Sequence, residues 1–148
     1  MEFQRVQEAV SQLKQTGGTV QEVLCTNPSQ AENLERILGM EFPSSVREFY
    51  SRYEYLQVGP YEFEWARNLP DLVANMRKQM AIPKTYLPIL ADGMGGYYYV
   101  ICSEVNVARP GIFGNVVHRP TGTSKPVDTH CGEFFEFVLA RVEVAADA

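Results

Sequence analysis

The sequence predicts an α+β domain in which N-terminal helices and a C-terminal helix pack on a central, mostly antiparallel sheet. Three observations carry this reading. Apolar residues recur at helical spacing through the first third of the chain, the period shifts to two around Tyr61 to Trp65 ahead of strand-like runs, and helical spacing returns at the end. With 148 residues, 45% of them hydrophobic, the chain has apolar side chain enough for one core and is too short for two ordinary domains. Residues 1–148 are therefore read as a single domain.

Phe3, Val6, Val10 and Leu13 form the stripe of a first helix, stopped by Gly17-Gly18. Asn27-Pro28 offers a cap followed by proline at the first helical position, and Ala31, Leu34, Ile37 and Leu38 make a second stripe ending at Gly39. Ser45 with Glu48 has the form of a capping box, and Val46, Phe49, Tyr50 and Tyr53 follow at i, i+3, i+4 and i+7, which predicts a third helix. From Tyr61 to Trp65, Tyr61, Phe63 and Trp65 alternate with Glu62 and Glu64, the pattern of a half-exposed strand. Leu69, Leu72, Val73, Met76 and Met80 restore helical spacing until Pro83.

Tyr86 to Ala91 reads as a strand, Asp92-Gly93-Met94-Gly95-Gly96 as a turn, and Tyr97 to Cys102 as an unbroken apolar run suited to a central strand covered on both faces. Asn115 to His118 is a weaker strand, and residues 119–130, rich in Pro, Thr and Gly, read as a loop. Phe135, Val138, Leu139 and Val142, widened by Phe134 and Phe137, make the closing helix.

Thirteen Lys and Arg against 18 Asp and Glu give 13 − 18 = −5, a balance that opposes phosphate backbones and anionic lipid and favours a basic partner. Nucleic acid and membrane are thus not the expected partners. Cys25, Cys102 and Cys131 are odd in number and widely spaced, fitting reduced cytosolic thiols better than a disulfide framework or a zinc site. Met1-Glu2-Phe3-Gln4 lacks the basic start of a secretory signal, and no run nears the ~20 apolar residues of a membrane span. A cytoplasmic location is expected.

Few residues suggest catalysis. Gly93-Met94-Gly95-Gly96 resembles a phosphate cradle in composition, but it leads into a strand and lacks the Lys of a phosphate loop, so a tight turn needing positive φ is expected. His130-Cys131 with Asp128 and His118 are the groups that could make a metal or Cys-His site, yet the chain holds only two histidines and no supporting paired motif. Cys102, inside the apolar run, is expected to be a small core residue. Tyr97-Tyr98-Tyr99 alternates across a strand, either as core with satisfied hydroxyls or as a functional patch. Glu62 and Glu64, with Glu54 nearby in sequence, form either a solvated edge that discourages strand pairing or a binding surface.

The order of motifs resembles the SUKH superfamily, which groups a yeast cell-wall regulator domain, a viral family and many bacterial immunity proteins. The resemblance runs from Glu35-Arg36-Ile37-Leu38-Gly39, Phe42-Pro43 and Val46 to Tyr50, including Phe49, through Leu87-Pro88-Ile89-Leu90-Ala91 and the Asp92-Gly93-Met94-Gly95-Gly96 turn with its tyrosines. It continues with Gly114 to His118 and the Phe134 and Phe137 pair of the last helix. It departs where Tyr55-Leu56-Gln57-Val58-Gly59 stands in place of an Asn-Gly pair.

This likeness implies a protein-binding module with no cofactor, no metal and no catalytic residues. It implies, in particular, an immunity protein that neutralises a toxin, often a nuclease, by direct binding; the charge balance makes that toxin a basic domain, and exposed strand edges leave monomer or homodimer open. Glu54, Glu62, Glu64 and Asp92 are the candidate acidic surface, with Tyr61 or Tyr98 as anchors. The rival readings are a regulatory or scaffold module with no toxin partner, and an enzyme using Cys131, His130 or His118.

Overall fold

A computed structural model describes residues 2–121 and 127–147. The architecture is α+β. Helix α1 (Phe3–Gln15) buries Val6, Val10 and Leu13, the stripe expected of it, and lays Phe3 flat on Phe135 with ring centroids 5.1 Å apart. Strand β1 (Val20–Leu24) follows, an element that local periodicity does not predict. Helix α2 (Gln30–Leu38) begins two residues beyond the expected proline, because Asn27 turns the chain first, its Oδ1 accepting the Ser29 amide at 3.0 Å. Gly39 ends α2 where the stripe was expected to stop, in the left-handed conformation that glycine adopts at no steric cost, φ 69°.

After the short strand β2 (Met40–Glu41), α3 (Ser44–Arg52) starts behind Pro43, which holds the N-cap position. The expected capping box does not form: Ser45 is buried inside the helix and makes no cap hydrogen bond. Glu35 of α2 clamps this segment instead. It accepts the Phe42 amide at 3.0 Å and a bidentate pair of 3.0 Å bonds from Arg47, so three points of the expected motif are joined by one carboxylate.

The helix stops at Arg52, and Tyr53, expected on its stripe, opens strand β3 (Tyr53–Val58). The antiparallel partner β1 supplies backbone hydrogen bonds that another helical turn would forgo, while Tyr53, Leu56 and Val58 still reach the core. Strand β4 (Tyr61–Glu62) is shorter than the expected Tyr61–Trp65 run, which continues as an isolated bridge between Phe63 and Leu90 and a hydrogen bond from the Glu64 amide to the Ile89 carbonyl. A 3₁₀ turn (Ala66–Asn68) leads into α4 (Leu69–Gln79).

Strands β5 (Tyr86–Ala91), β6 (Tyr97–Ile101), β7 (Ser103–Glu104), β8 (Asn115–Arg119) and β9 (Thr129–Glu133) precede α5 (Phe134–Ala146). The loop expected over 119–130 is displaced at both ends, since Arg119 closes β8 and Thr129-His130 opens β9; its centre, 122–126, lies outside the described residues. All strand pairs are antiparallel, in the orders β1-β3-β4 and β5-β6-β8-β9, with the Phe63–Leu90 bridge joining the two sheets and β2-β7 forming a separate ribbon. Pro88 is buried in β5 next to a register irregularity, the setting in which a residue without an N–H is tolerated.

The sheet is covered on both faces, and β6 shows it residue by residue. Tyr98, Val100 and Cys102 face the main core with α1, α2, α3 and α5, while Tyr99 and Ile101 join Met76, Ile82 and Val117 in a second core beside α4. Among the described residues no helix is long and apolar enough to cross a membrane.

The β5–β6 turn behaves as its glycines require. Gly93 and Gly95 have φ of 77° and 90°, and Asp92 Oδ1 accepts the Met94 and Gly96 amides at 2.7 and 2.9 Å. Gly96 is needed for space rather than for φ: a Cβ there would stand 2.8 Å from both the Arg119 carbonyl oxygen and Pro120 Cα. Gly95→Val and Gly96→Val are each expected to cost about 1–3 kcal/mol, by backbone strain and by crowding respectively, read as a lower urea midpoint. Unchanged midpoints would contradict both assignments.

Candidate functional site

Tyr61, Glu62, Glu64, Asp92 and Tyr98 line one cleft of about 500 Å³ between the β4 segment and the start of the β5–β6 hairpin. Phe63 and Leu90, whose bridge joins the sheets, are its buried floor, and Tyr55, Pro60 and Trp65 complete its walls. The residues come together because the chain after β4 pairs with β5 through that bridge and the bond from the Glu64 amide to the Ile89 carbonyl, which brings the 61–65 and 90–98 segments side by side. Glu54 does not share the cleft. It accepts the Arg67 Nε and backbone N–H at 3.2 Å each and lines a separate pocket with Asn27 and Leu34, so the expected acidic patch divides.

Each acidic residue has a distinct environment. Glu62 is exposed and accepts the Tyr55 hydroxyl at 2.7 Å, and burial together with this carboxylate pushes the Tyr55 phenol up to about 12. Glu64 is half-buried; loss of water pushes its carboxyl above the ordinary range, opposed by the Tyr97 hydroxyl, which donates to it at 3.3 Å. Asp92 is held by its own turn, and its Oδ2 meets His118 Nε2 at 2.9 Å, which with the turn amides draws its carboxyl below the usual value. Its two oxygens are thereby engaged, and it shapes the cleft more than it offers charge.

Aromatic packing sets the walls. Tyr55 stacks on Trp65 with centroids 4.3 Å apart, and Tyr98 stacks on His118 at 4.4 Å. Arg67 lies 4.3 Å from the Trp65 centroid, and Arg141 of α5 lies 5.4, 5.3 and 4.3 Å from those of Tyr61, Tyr98 and Phe137. Sequence reasoning misses Tyr55, His118 and Arg141 as parts of this surface, and it sets Trp65 on the opposite face from Glu62 and Glu64, whereas Trp65 and both carboxylates line one cleft because the strand ends after Glu62.

A raised carboxyl gives a definite pH signature. Native Glu64 holds its proton more tightly than the unfolded chain does, so its contribution to stability rises as pH falls through the native titration. Glu64→Gln is expected to melt at higher temperature than the parent at pH 7, with the gain fading below pH ~4, where both native and unfolded carboxyls are protonated. A lower Tm at pH 7 would refute the desolvated placement.

The groups that suggested thiol or metal chemistry lie on or beside the paired strands β8 and β9, but His118, Cys131 and Asp128 each have a different partner. His118 is engaged by Asp92 and stacked on Tyr98, whereas His130 lies exposed on β9. Cys131 Sγ donates to the Thr129 carbonyl at 3.5 Å, and burial pushes its thiol up, away from the nucleophilic thiolate. Asp128 instead takes the Arg119 Nε at 2.8 Å and the Tyr86 hydroxyl. Cys102 is wholly buried and its thiol is pushed well up, as a core residue's should be; all three cysteines are free. Among the described residues no three His, Cys, Asp or Glu stand close enough to hold a metal ion. In comparison with known proteins, no protein-family model and no curated protein matches the chain.

Proposed function

We propose that this chain is a SUKH-type protein-binding module that neutralises a basic toxin by direct binding, with the acidic aromatic cleft as the capturing surface. The observation that carries this reading is the cleft itself. It joins carboxylates that steer a cationic partner to aromatic side chains that slow its release, on a chain whose net charge is −5. The Glu35 clamp across Phe42 and Arg47 supports the family likeness by giving the spacing of its opening motif a physical reason. The reading assigns no catalytic residue and no cofactor, and it suits the cytoplasm, where free Cys25, Cys102 and Cys131 remain reduced.

The test is a pull-down of the tagged protein against the product of the neighbouring gene, followed by co-expression survival. Stoichiometric capture with rescue from killing supports an immunity protein. Neither capture nor rescue overturns the toxin reading and turns the question to the regulatory-module alternative.

A further inference from the structure

We infer that the cleft receives an arginine side chain of the bound protein, its guanidinium entering at the Glu62–Glu64 end between the aromatic walls. The inference rests on the cleft being the partner-binding surface and adds the chemistry of the anchor.

Five carboxylates elsewhere in the described chain already have a basic side chain: Glu22 has Lys14, Glu35 has Arg47, Glu41 has Arg109, Glu54 has Arg67 and Asp128 has Arg119. Glu62 and Glu64 lack one, as do most of the other carboxylates, and what sets these two apart is that they line the cleft together. The side-chain donors that reach them among the described residues are phenols, Tyr55 on Glu62 Oε1 and Tyr97 on Glu64 Oε1, which leaves the second oxygen of each without a donor. Glu64 has also lost water without gaining a cation, so an arriving positive charge repairs a cost the free protein carries.

The shape of the site favours guanidinium over a metal or a compact ammonium. The acidic groups do not converge on one point as metal ligands must, whereas a planar fork can bridge separated carboxylate oxygens and lie against a ring at once. The rim already displays this packing with the molecule's own arginines, Arg67 against Trp65 and Arg141 against Tyr61 and Tyr98. These also fix the end at which the guest binds. Arg141 lies on Tyr61 and Tyr98 and His118 on Asp92, and Arg67 is neutralised by Glu54, but none of these basic groups forms an ion pair with Glu62 or Glu64, where the negative charge is left uncompensated.

Trp65 is the only tryptophan in the chain, so its emission reports this cleft alone. The probes are short, end-capped peptides identical except for a central arginine, lysine or citrulline, titrated in the millimolar range that suits a ligand anchored by one side chain. Saturable change with the arginine peptide is expected, at least about tenfold weaker with uncharged citrulline and intermediate with lysine. The Glu62→Gln/Glu64→Gln protein, verified as folded by its melting curve, should lose the arginine preference, and Glu54→Gln should keep it. Equal titrations by arginine and citrulline, absence of saturation, or a preference that survives in the double variant would each overturn the inference. Capture of the neighbouring-gene product despite such a result would leave the protein-binding reading standing and remove only the arginine anchor.

Discussion

Replacing Phe49 by Ala is expected to destabilise the protein by about 3–5 kcal/mol, a large share of the roughly 5–15 kcal/mol that a domain of this kind possesses. Phe49 is 1% exposed and is the ring that most elements of the main core share. Its centroid lies 5.0 Å from that of Tyr50, 5.3 Å from Tyr53, 5.8 Å from Phe63 and 5.3 Å from Phe134. Those partners sit on α3, β3, the bridge between the sheets and α5, so the cavity left by Ala would open where four elements meet and could not collapse without moving one of them. Ala also cannot reproduce the edge-to-face packing of the ring on Tyr50, Phe63 and Phe134, which raises the cost above that of removing the apolar atoms alone. Urea unfolding should give a lower midpoint with an unchanged slope. A loss below about 1 kcal/mol would mean that the site repacks and that the ring is not the joint described here. Because Phe63 forms the floor of the cleft, the variant should also blunt the arginine-dependent change in Trp65 emission.

Reversing charge at the cleft, Glu62→Lys with Glu64→Lys, is expected to lower affinity for the basic partner by at least about 100-fold, with much of the loss in a slower, less salt-sensitive association. Two attractive contacts become repulsive, and at Glu64 the change takes place beside half-buried rings where water screens weakly. The consequences for folding differ between the positions. Tyr55 keeps an acceptor in Gln57 Oε1, 3.3 Å from its hydroxyl, when Glu62 is replaced, whereas Tyr97 loses the carboxylate that holds its hydroxyl. Melting curves therefore accompany the binding measurement, and the Gln pair serves where the Lys pair is unstable. Unchanged affinity and unchanged salt dependence in a folded double variant would remove the cleft from the interface.

If the cleft is the binding surface proposed above, a binding role and a stability cost coincide at Glu64. A carboxylate kept half-buried without a cation weakens the free protein and is compensated only when a partner supplies one. Higher melting temperature with weaker binding in the Glu64 variant would be the combined signature.

How much of this is legible in the sequence follows from the range of each interaction. The stripe of α1, most of those of α2 and α4, the stop at Gly39, the positive φ of Gly95 and the two-sided burial of β6 are written in residues a few positions apart and are found. But Ile37, expected on the α2 stripe, is 61% exposed, and Met80, expected on that of α4, lies past the helix end and is 44% exposed. Tyr61, Glu62, Glu64, Asp92 and Tyr98, each read separately on the sequence, line one cleft, although alternation sets Tyr61 on the opposite face from Glu62 and Glu64. Strand β1 and the strand state of β3 are not legible, because Val20-Gln21-Glu22-Val23-Leu24 has no clear period of its own and Tyr53 satisfies a helical stripe as well as a strand face. Each becomes a strand by pairing with the other, 29 or more residues away in the chain. The capping box fails for a similar reason, since Glu35 reaches Phe42 and Arg47 from another helix and sets the start of α3.

The sequence by itself determined the α+β class, the helix faces and the chemical character of the surface, because those depend on local periodicity and on which side chains are present. Tertiary structure alone decided that Glu54 leaves the patch for Arg67 and that Trp65 and Tyr55 wall the cleft. It alone decided that Glu62 and Glu64 line one cleft without a basic partner among the described residues, while Glu22, Glu35, Glu41, Glu54 and Asp128 each have one. Those are properties of distances between segments, and a carboxylate's charge partner, like its exposure to water, exists only once the Phe63–Leu90 bridge has brought the two sheets together.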